Sequence, residues 1–350
     1  MTEDARRVVA SSPKDLASGG LKMRQENGRR APGTNRGGMY LYLLPIVLVP
    51  LLLLAFAFFV IPTRSFELRS GNTYLANLGY GATLFHHDCQ VLIYGDSSAL
   101  VGLNPEVIRQ QTGLTTCNIA EFEGVTLVSH MLLVDRFLQN NPPPRFLVFF
   151  YTPEDLSIPD DWESFNVGTF EAVTLQMQRN RSLGSSFLLA QHPSIAFAWA
   201  EQGLRMMLMQ AHSAPVSPAA AMTRANTNGQ LPMATDAIAK CDGNLRNRLP
   251  DPGWIGSLRQ HYGTNATRVI VDATPTVDCD ASLPFFQQHL NGLIDNGPYQ
   301  PISISNYSAD GRLHANQRGS QLLSTLVATQ ILNQLNPARK ATIANGIGDR

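Results

Sequence analysis

Apolar residues are distributed along the chain in one long block near its start and in a series of short runs after residue 88. The long block, residues 39–61, is almost entirely Leu, Val, Ala, Phe and Ile, and no charged residue occurs from position 37 to position 63. Because about 20 apolar residues in a helix span the hydrocarbon core of a bilayer, this block predicts a transmembrane helix. A cleaved signal peptide has a shorter apolar region followed by small residues, and Ile61-Pro62-Thr63-Arg64 offers no such cleavage site.

The segment before this block, residues 1–38, contains eight basic and four acidic residues together with many Gly, Ser, Asn and Pro. Such a segment has too little apolar surface to fold, so we expect a flexible basic tail. By the positive-inside rule the tail stays in the cytoplasm, and the chain after about residue 62 lies on the other side of the membrane.

The short apolar runs alternate with stretches of helical periodicity. Four runs, each bounded by turn residues, predict buried strands: residues 91–94, 114–119, 145–151 and 268–275. Asn104-Pro105 and Gly113 mark the start and the end of a helix between the first two strands. This order of elements predicts a parallel sheet with right-handed crossovers. We therefore expect one α/β domain at 89–336, with a connector at 62–88 and a tail at 337–350.

The third and fourth strands are separated by residues 153–265, which we predict to be a helical insertion. Residues 165–178 and 194–210 have helical character, whereas residues 211–236 are rich in Ala, Pro, Ser, Thr and Asn and predict a long mobile loop. The second helix carries Met and aromatic residues on nearly all sides, which is typical of a core helix. The alternatives for this helix are an apolar cap over the active site and a surface that lies against a membrane.

The four cysteines face a compartment where disulfides form, if the topology is as predicted. Cys241 and Cys279 lie in loop-like sequence and are predicted to form a bond. Cys89 and Cys117 are instead predicted to be small buried residues, because parallel strands would hold them too far apart for a bond.

Composition narrows the function classes further. The chain has 350 residues, with 27 basic and 27 acidic, so its balanced charge gives no reason to expect a nucleic-acid partner. No Cys-x-x-Cys spacing occurs, and the adjacent His86 and His87 have no carboxylate at ligand spacing. We therefore predict no metal and no other cofactor.

Two polar blocks carry the candidate chemistry. Gly95-Asp96-Ser97 directly follows the first predicted strand, at the sheet edge where α/β proteins place their ligands. Asp310 and His314 precede the last predicted helix, and among eight His only His314 combines a nearby Asp with such a position. A serine nucleophile, a histidine base and an aspartate that orients the histidine form a hydrolytic triad.

This pairing resembles the SGNH (GDSL-type) esterase and acyltransferase family, which implies a three-layer, flavodoxin-like parallel sheet. In that family the Gly-Asp-Ser block carries the nucleophile, and an Asp-x-x-His block supplies the base and its orienter. Asp310 and His314 are one residue further apart than in that pattern. The resemblance also implies that Ser97 and Gly124 stabilise the oxyanion with backbone N–H groups. The family has an Asn after the third strand as a further donor; here Thr152 or Tyr151 is the candidate, although neighbouring acidic residues would repel an oxyanion.

The resemblance implies a membrane-anchored acyl ester hydrolase or O-acyltransferase of a bacterial cell envelope, single-pass in the inner membrane and with its main domain in the periplasm. The expected partners are an acyl ester or envelope polysaccharide, the membrane itself and a membrane-bound acyltransferase. The alternative is a catalytically weak domain that binds a glycan or a membrane partner in an envelope assembly. The missing Asn and the long spacing between Asp310 and His314 favour this alternative, whereas the intact Gly-Asp-Ser block and His314 favour the enzyme.

Overall fold

The computed structural model describes residues 36–121, 132–157, 174, 193–209, 214–232, 240–241, 245–309 and 311–336. The chain divides into two compact units, residues 1–48 and 49–350, with the boundary inside the first helix. This helix, α1 (Arg36–Val60), contains the stretch Leu43–Val60, which by length and composition is apolar enough to cross a membrane. Two short helices follow it, α2 (Arg64–Arg69) and α3 (Thr73–Ala76).

The last turns of α1 belong to the core of the second unit. Ala57 and Ile61 are fully buried, and the ring of Phe58 packs against that of Trp199 at a centroid distance of 5.8 Å. Thr63 then caps α2 by accepting a hydrogen bond from the backbone N–H of Phe66. The chain therefore passes from the apolar helix into the folded unit without an intervening linker.

A parallel sheet of four strands forms the centre of this unit, as the pattern of apolar runs predicts. The strands lie in the order β2-β1-β3-β4 and comprise β1 (Val91–Gly95), β2 (Thr116–Asn118), β3 (Phe146–Tyr151) and β4 (Arg268–Ala273). All pairs are parallel, and the central strands β1 and β3 are buried along their whole length. Their continuous apolar sequence follows from burial on both faces.

Helices cover both faces of the sheet. On one face, Val91 and Ile93 of β1 pack with α4 (Ser97–Gly102), α5 (Pro105–Thr112) and α12 (Gln317–Leu335). On the other face, Leu92 and Tyr94 belong to a core shared with α6 (Leu132–Asn140), α7 (Pro193–Met209), α10 (Pro252–Tyr262) and α11 (Leu283–Leu290). The start and end of α5 are confirmed: Asn104 accepts two backbone N–H bonds, and Gly113 adopts a left-handed φ of 73°.

α7 confirms the helix predicted in the second half of the insertion. Its residues Ala196, Trp199 and Ala200 are fully buried, as expected for a core helix. Leu208 and Met209, at its C-terminal end, remain 64% and 72% exposed, so the helix is only partly enclosed. The other predicted helix of the insertion, residues 165–178, lies outside the described residues apart from Thr174, which accepts a hydrogen bond from the Trp199 indole.

The prediction of a long loop at residues 211–236 is wrong for the part that the structure describes. Two short helices form there, α8 (Pro218–Ala221) and α9 (Thr223–Asn226). Arg224 is 1% exposed and pairs with the equally buried Glu121 at 2.6 Å. The polar composition that suggested a mobile loop therefore belongs to a segment held down by a buried ion pair.

The prediction that Cys89 and Cys117 remain free is also wrong, because the structure joins them in a disulfide with a Cα–Cα distance of 5.6 Å. β1 begins at Val91, so Cys89 precedes the strand instead of lying within it. Thr115 donates a hydrogen bond to the carbonyl of Asp88 and accepts one from the N–H of Gln90. These bonds draw the chain before β1 towards the start of β2. The structure also bonds Cys241 to Cys279.

Candidate active site

The Gly-Asp-Ser block occupies the sharp turn between β1 and α4. A side chain at Gly95 is excluded, because its Cβ would lie 1.7 Å from the carbonyl oxygen of Phe150 on the neighbouring strand. Asp96 caps the helix, and Ser97 is its first residue. Local sequence thus explains the position of Ser97: a strand that ends at a residue without Cβ is followed at once by a helix cap.

Asp96 ties the strand ends together. Its carboxylate is 1% exposed and accepts hydrogen bonds from Ser98 N at 2.8 Å, Ser98 Oγ at 2.6 Å and Thr152 N at 2.6 Å. Ser98 Oγ accepts a further hydrogen bond from the hydroxyl of Thr274, directly after β4. One buried carboxylate and one buried hydroxyl therefore connect the carboxyl ends of β1, β3 and β4 and fix the backbone that carries Ser97.

His314 reaches Ser97 from the opposite end of the sequence. It lies on β6 (Gly311–Ala315), which pairs antiparallel with β5 (Tyr307–Ser308). Asn316 then caps α12, and its side-chain amide donates hydrogen bonds to the carbonyls of Ser305 and Tyr307. These bonds hold the hairpin against the helix start. His314 Nε2 lies 3.0 Å from Ser97 Oγ.

The geometry of this pair would allow Ser97 to act as a nucleophile and His314 as its base. Ser97 and His314 are both half-buried, so a ligand can reach them, whereas Ser98 is fully buried. The Nδ1 atom of His314 is shielded from solvent. A distance of 3.0 Å is within the range in which an imidazole can take the proton of a serine hydroxyl.

The remaining predicted site residues differ in what the structure says of them. Gly124 and Asp310 lie outside the described residues, so their roles stay predictions. Thr152 is described, but its N–H is bonded to Asp96 and its hydroxyl donates to Asp155 Oδ2 at 2.8 Å. Both donors of Thr152 are thus engaged within the protein, and this arrangement does not support Thr152 as an oxyanion donor.

Sequence reasoning missed the residues that support the site. Arg224 donates to the carbonyls of Asn118 and Ala120 as well as to Glu121, and so fixes the segment after β2 that leads to position 124. Glu121 N in turn donates to Gly95 O at 3.0 Å. Arg224 is separated from Asn118, Ala120 and Glu121 by about a hundred residues. An Arg within a polar stretch gives no sequence signal for burial.

A cavity of about 410 Å³ lies between α4, α12 and residues 227–232. Its lining includes Asn316, two residues from His314, and Val101, one helical turn after Ser97. The other lining side chains are mostly amides and hydroxyls, and none is charged: Asn104, Thr227, Gln230, Pro232, Ala315, Gln317, Ser320 and Gln321. Such a lining suits a neutral ligand rich in hydroxyl groups.

Among the described residues, no group of three or more His, Cys, Asp or Glu is placed to hold a metal ion. A comparison of the chain with protein-family models, curated proteins and solved structures finds no matching family, protein or structure. The chain has an α/β fold with a four-stranded parallel sheet, and the described residues include one apolar N-terminal helix. Any conclusion about function therefore depends on the side chains themselves.

Proposed function

We propose that the chain is a membrane-anchored serine ester hydrolase or O-acyltransferase with an SGNH-like, flavodoxin-like fold that acts on a glycan of the bacterial cell envelope. The observation that carries the proposal is the 3.0 Å distance between Ser97 Oγ and His314 Nε2. Two residues separated by 217 positions approach each other at the carboxyl edge of a parallel sheet, where α/β proteins bind their ligands.

The reaction begins when Ser97 Oγ attacks the carbonyl carbon of an acyl ester and His314 Nε2 takes the hydroxyl proton. The tetrahedral intermediate collapses, the ester C–O bond breaks, and His314 returns the proton to the departing alcohol. The acyl group, now on Ser97, passes to water in a hydrolase or to a glycan hydroxyl in a transferase. Asp310 is proposed to hold the imidazole in the tautomer with its proton on Nδ1.

The oxyanion is stabilised by backbone N–H groups of Ser97 and Gly124 in this proposal. Ser97 is the first residue of α4, where backbone N–H groups have no acceptor within the helix. Removing one oxyanion donor typically costs about 10²–10³ in rate. Because Thr152 N already donates a hydrogen bond to Asp96, we expect a slower enzyme than one with a free donor after β3.

The anchor and its orientation are supported by the composition of the first 63 residues. A basic tail precedes a stretch without charge, and the Leu43–Val60 stretch of α1 is only 6% buried within the protein. We propose that the tail is cytoplasmic and that the sheet domain is periplasmic. Two disulfides fit an oxidising compartment.

A serine-directed fluorophosphonate probe tests the proposal most directly. The full chain in detergent should be labelled, and Ser97→Ala should lose the label because the probe bonds to the activated hydroxyl. Ser257→Ala, which removes an exposed hydroxyl on α10, is the matched control and should label like the original protein. Undiminished labelling of Ser97→Ala would rule out Ser97 as the nucleophile.

A catalytically weak glycan-binding domain is the second candidate, and the engagement of Thr152 favours it. It would use the neutral cavity of about 410 Å³ without turnover. Failure of both the original protein and Ser257→Ala to react with the probe, together with glycan binding, would favour this candidate over the enzyme.

A further inference from the structure

A second and larger cavity lies away from Ser97, beside the end of the apolar helix. It has a volume of about 700 Å³, within the usual range for small-molecule sites. Its walls come from the segment that follows α1, from α6 and from the α8–α9 segment. Its lining includes Pro62, Arg64, Glu67, Phe85, Arg136 and Met222.

The charges in this cavity do not cancel. Arg64 pairs with Glu67 at 2.8 Å, which neutralises the carboxylate of Glu67, itself almost fully buried. Arg136 has no carboxylate or other side-chain acceptor among the described residues, and its Nε is a buried donor without a hydrogen-bond partner there. A buried donor without an acceptor costs about 1–3 kcal/mol. The cavity therefore presents one unmatched guanidinium, which binds phosphate and carboxylate groups well.

The same cavity has an apolar side. Phe85 and Met222 line it and are 50% and 55% exposed, and Leu78 and Ala82 contribute further apolar surface. An unmatched cation beside exposed apolar side chains suits a ligand that has a single negative charge and a hydrocarbon part. Inorganic phosphate would satisfy only the first of these features.

The position of the cavity along the chain indicates where such a ligand comes from. Pro62 lines the cavity two residues after Val60, where the apolar stretch ends. Two residues span at most about 7 Å. The headgroup layer adds about 5–7 Å to each side of the hydrocarbon core. If α1 spans the membrane as proposed, the cavity lies at the level of the lipid headgroups.

We propose that this cavity binds the phosphate group of an anionic membrane lipid, with Arg136 as the ligand to the phosphate and the side chains of Phe85 and Met222 against the start of an acyl chain. The inference rests on the proposed membrane anchoring and is independent of the chemistry at Ser97. The buried pair of Arg224 and Glu121 fixes the α8–α9 wall, so the cavity is built before the lipid arrives.

Native mass spectrometry of the full chain in a neutral detergent tests the site. Dioctanoyl phosphatidylglycerol should bind, and Arg136→Gln should weaken that binding about 10-fold or more. Arg109→Gln is the matched control, because Arg109 is an exposed arginine paired with Glu106 far from the cavity, and it should bind like the original protein. Ser97→Ala should also bind lipid normally, which separates this proposal from the enzymatic one.

Three results would overturn the proposal. Equal lipid binding by Arg136→Gln and the original protein would remove Arg136 as the ligand. Equal affinity for phosphatidylglycerol and zwitterionic phosphatidylcholine would remove the charge argument. Inorganic phosphate that displaces the lipid at equal concentration would make a soluble phosphate the ligand instead of a lipid. The circular dichroism spectrum of Arg136→Gln should match that of the original protein, which shows that the variant is folded.

Discussion

At the sheet edge, the buried polar groups around Asp96 are hydrogen-bonded to one another, whereas beside the Arg136 cavity a buried donor has no acceptor among the described residues. At the sheet edge, the Asp96 carboxylate accepts three hydrogen bonds, and Ser98, Thr152 and Thr274 are all bonded to one another or to Asp96. In the cavity, a guanidinium Nε is buried without an acceptor among the described residues. The comparison fits the two proposals, in which the first region is organised in advance for a reaction and the second takes up a ligand.

The largest effect is expected from the two residues that the sheet edge positions. Ser97→Ala and His314→Ala should each lower the turnover of a short acyl ester by about 10³-fold or more, because nucleophile and base act as a unit. A chromogenic acetyl ester gives the rates. His261→Ala, which removes an exposed His on α10, should retain the original rate. Turnover by Ser97→Ala at the rate of the original protein would show that the distance of 3.0 Å has no chemical role.

The next effect tests the difference between the two regions in terms of stability. Asp96→Ala removes the acceptor of three buried donors, Ser98 N, Ser98 Oγ and Thr152 N. The free energy of unfolding should therefore fall by about 2–4 kcal/mol. Arg136→Gln loses no side-chain partner among the described residues and removes a buried donor without an acceptor, so the free energy of unfolding should not fall and should rise by up to about 1–3 kcal/mol. Urea unfolding in detergent measures both. An equal loss for the two variants would contradict the comparison.

A smaller effect concerns the pH dependence of the protein's stability, which arises from Asp272 on β4, next to the site. Burial raises the pKa of Asp272 from its ordinary value of 3.8 to about 7, although Ala273 N and the Gln330 amide donate to its carboxylate. The native state therefore holds a proton that the unfolded chain releases near pH 4. The stability that this proton contributes is complete below about pH 4 and is lost as the pH rises through 7.

Asp272→Asn should remove this dependence, because the amide stays neutral and can donate to the buried Gln330 Oε1, which has no partner among the described residues. At pH 8 the variant should be more stable than the original protein by on the order of 1–4 kcal/mol, and at pH 4 the two should agree. Thermal unfolding at both pH values measures this. A variant that is destabilised equally at both would show that Asp272 is charged in the folded protein.

The residues that sequence reasoning located correctly are those with local signals. The run from Val91 to Tyr94, the cap Asn104 and the helix after Asn316 are each defined by neighbours within a few positions. The pairing of Ser97 with His314 also follows from local signals, since both lie directly beside a strand or helix end. Secondary-structure propensity, helix caps and turns depend on residues close together in the sequence, so they can be recognised from the sequence itself.

The features that sequence reasoning missed depend on contacts between distant segments. The disulfide between Cys89 and Cys117 depends on how the chain turns before β1. Hydrogen bonds of Thr115 with Asp88 and Gln90 hold the chain there. The burial of Arg224 depends on Glu121, more than a hundred positions away. The loss of Thr152 as a donor depends on the acceptor Asp96. None of these partners can be read from the neighbouring residues.

The packing of the last turns of α1 into the core has a consequence for how the proposed enzyme would reach its substrates. A flexible linker would let an anchored domain sweep a hemisphere whose radius grows with linker length. Here Ala57 and Ile61 are fully buried in the domain, and α2 begins four residues after Val60. Without a flexible linker, the proposed anchored enzyme would sweep a smaller region, and its acceptor would have to be brought to it. Shortening the chain to begin after residue 62 would uncover part of the core as well as remove the proposed anchor.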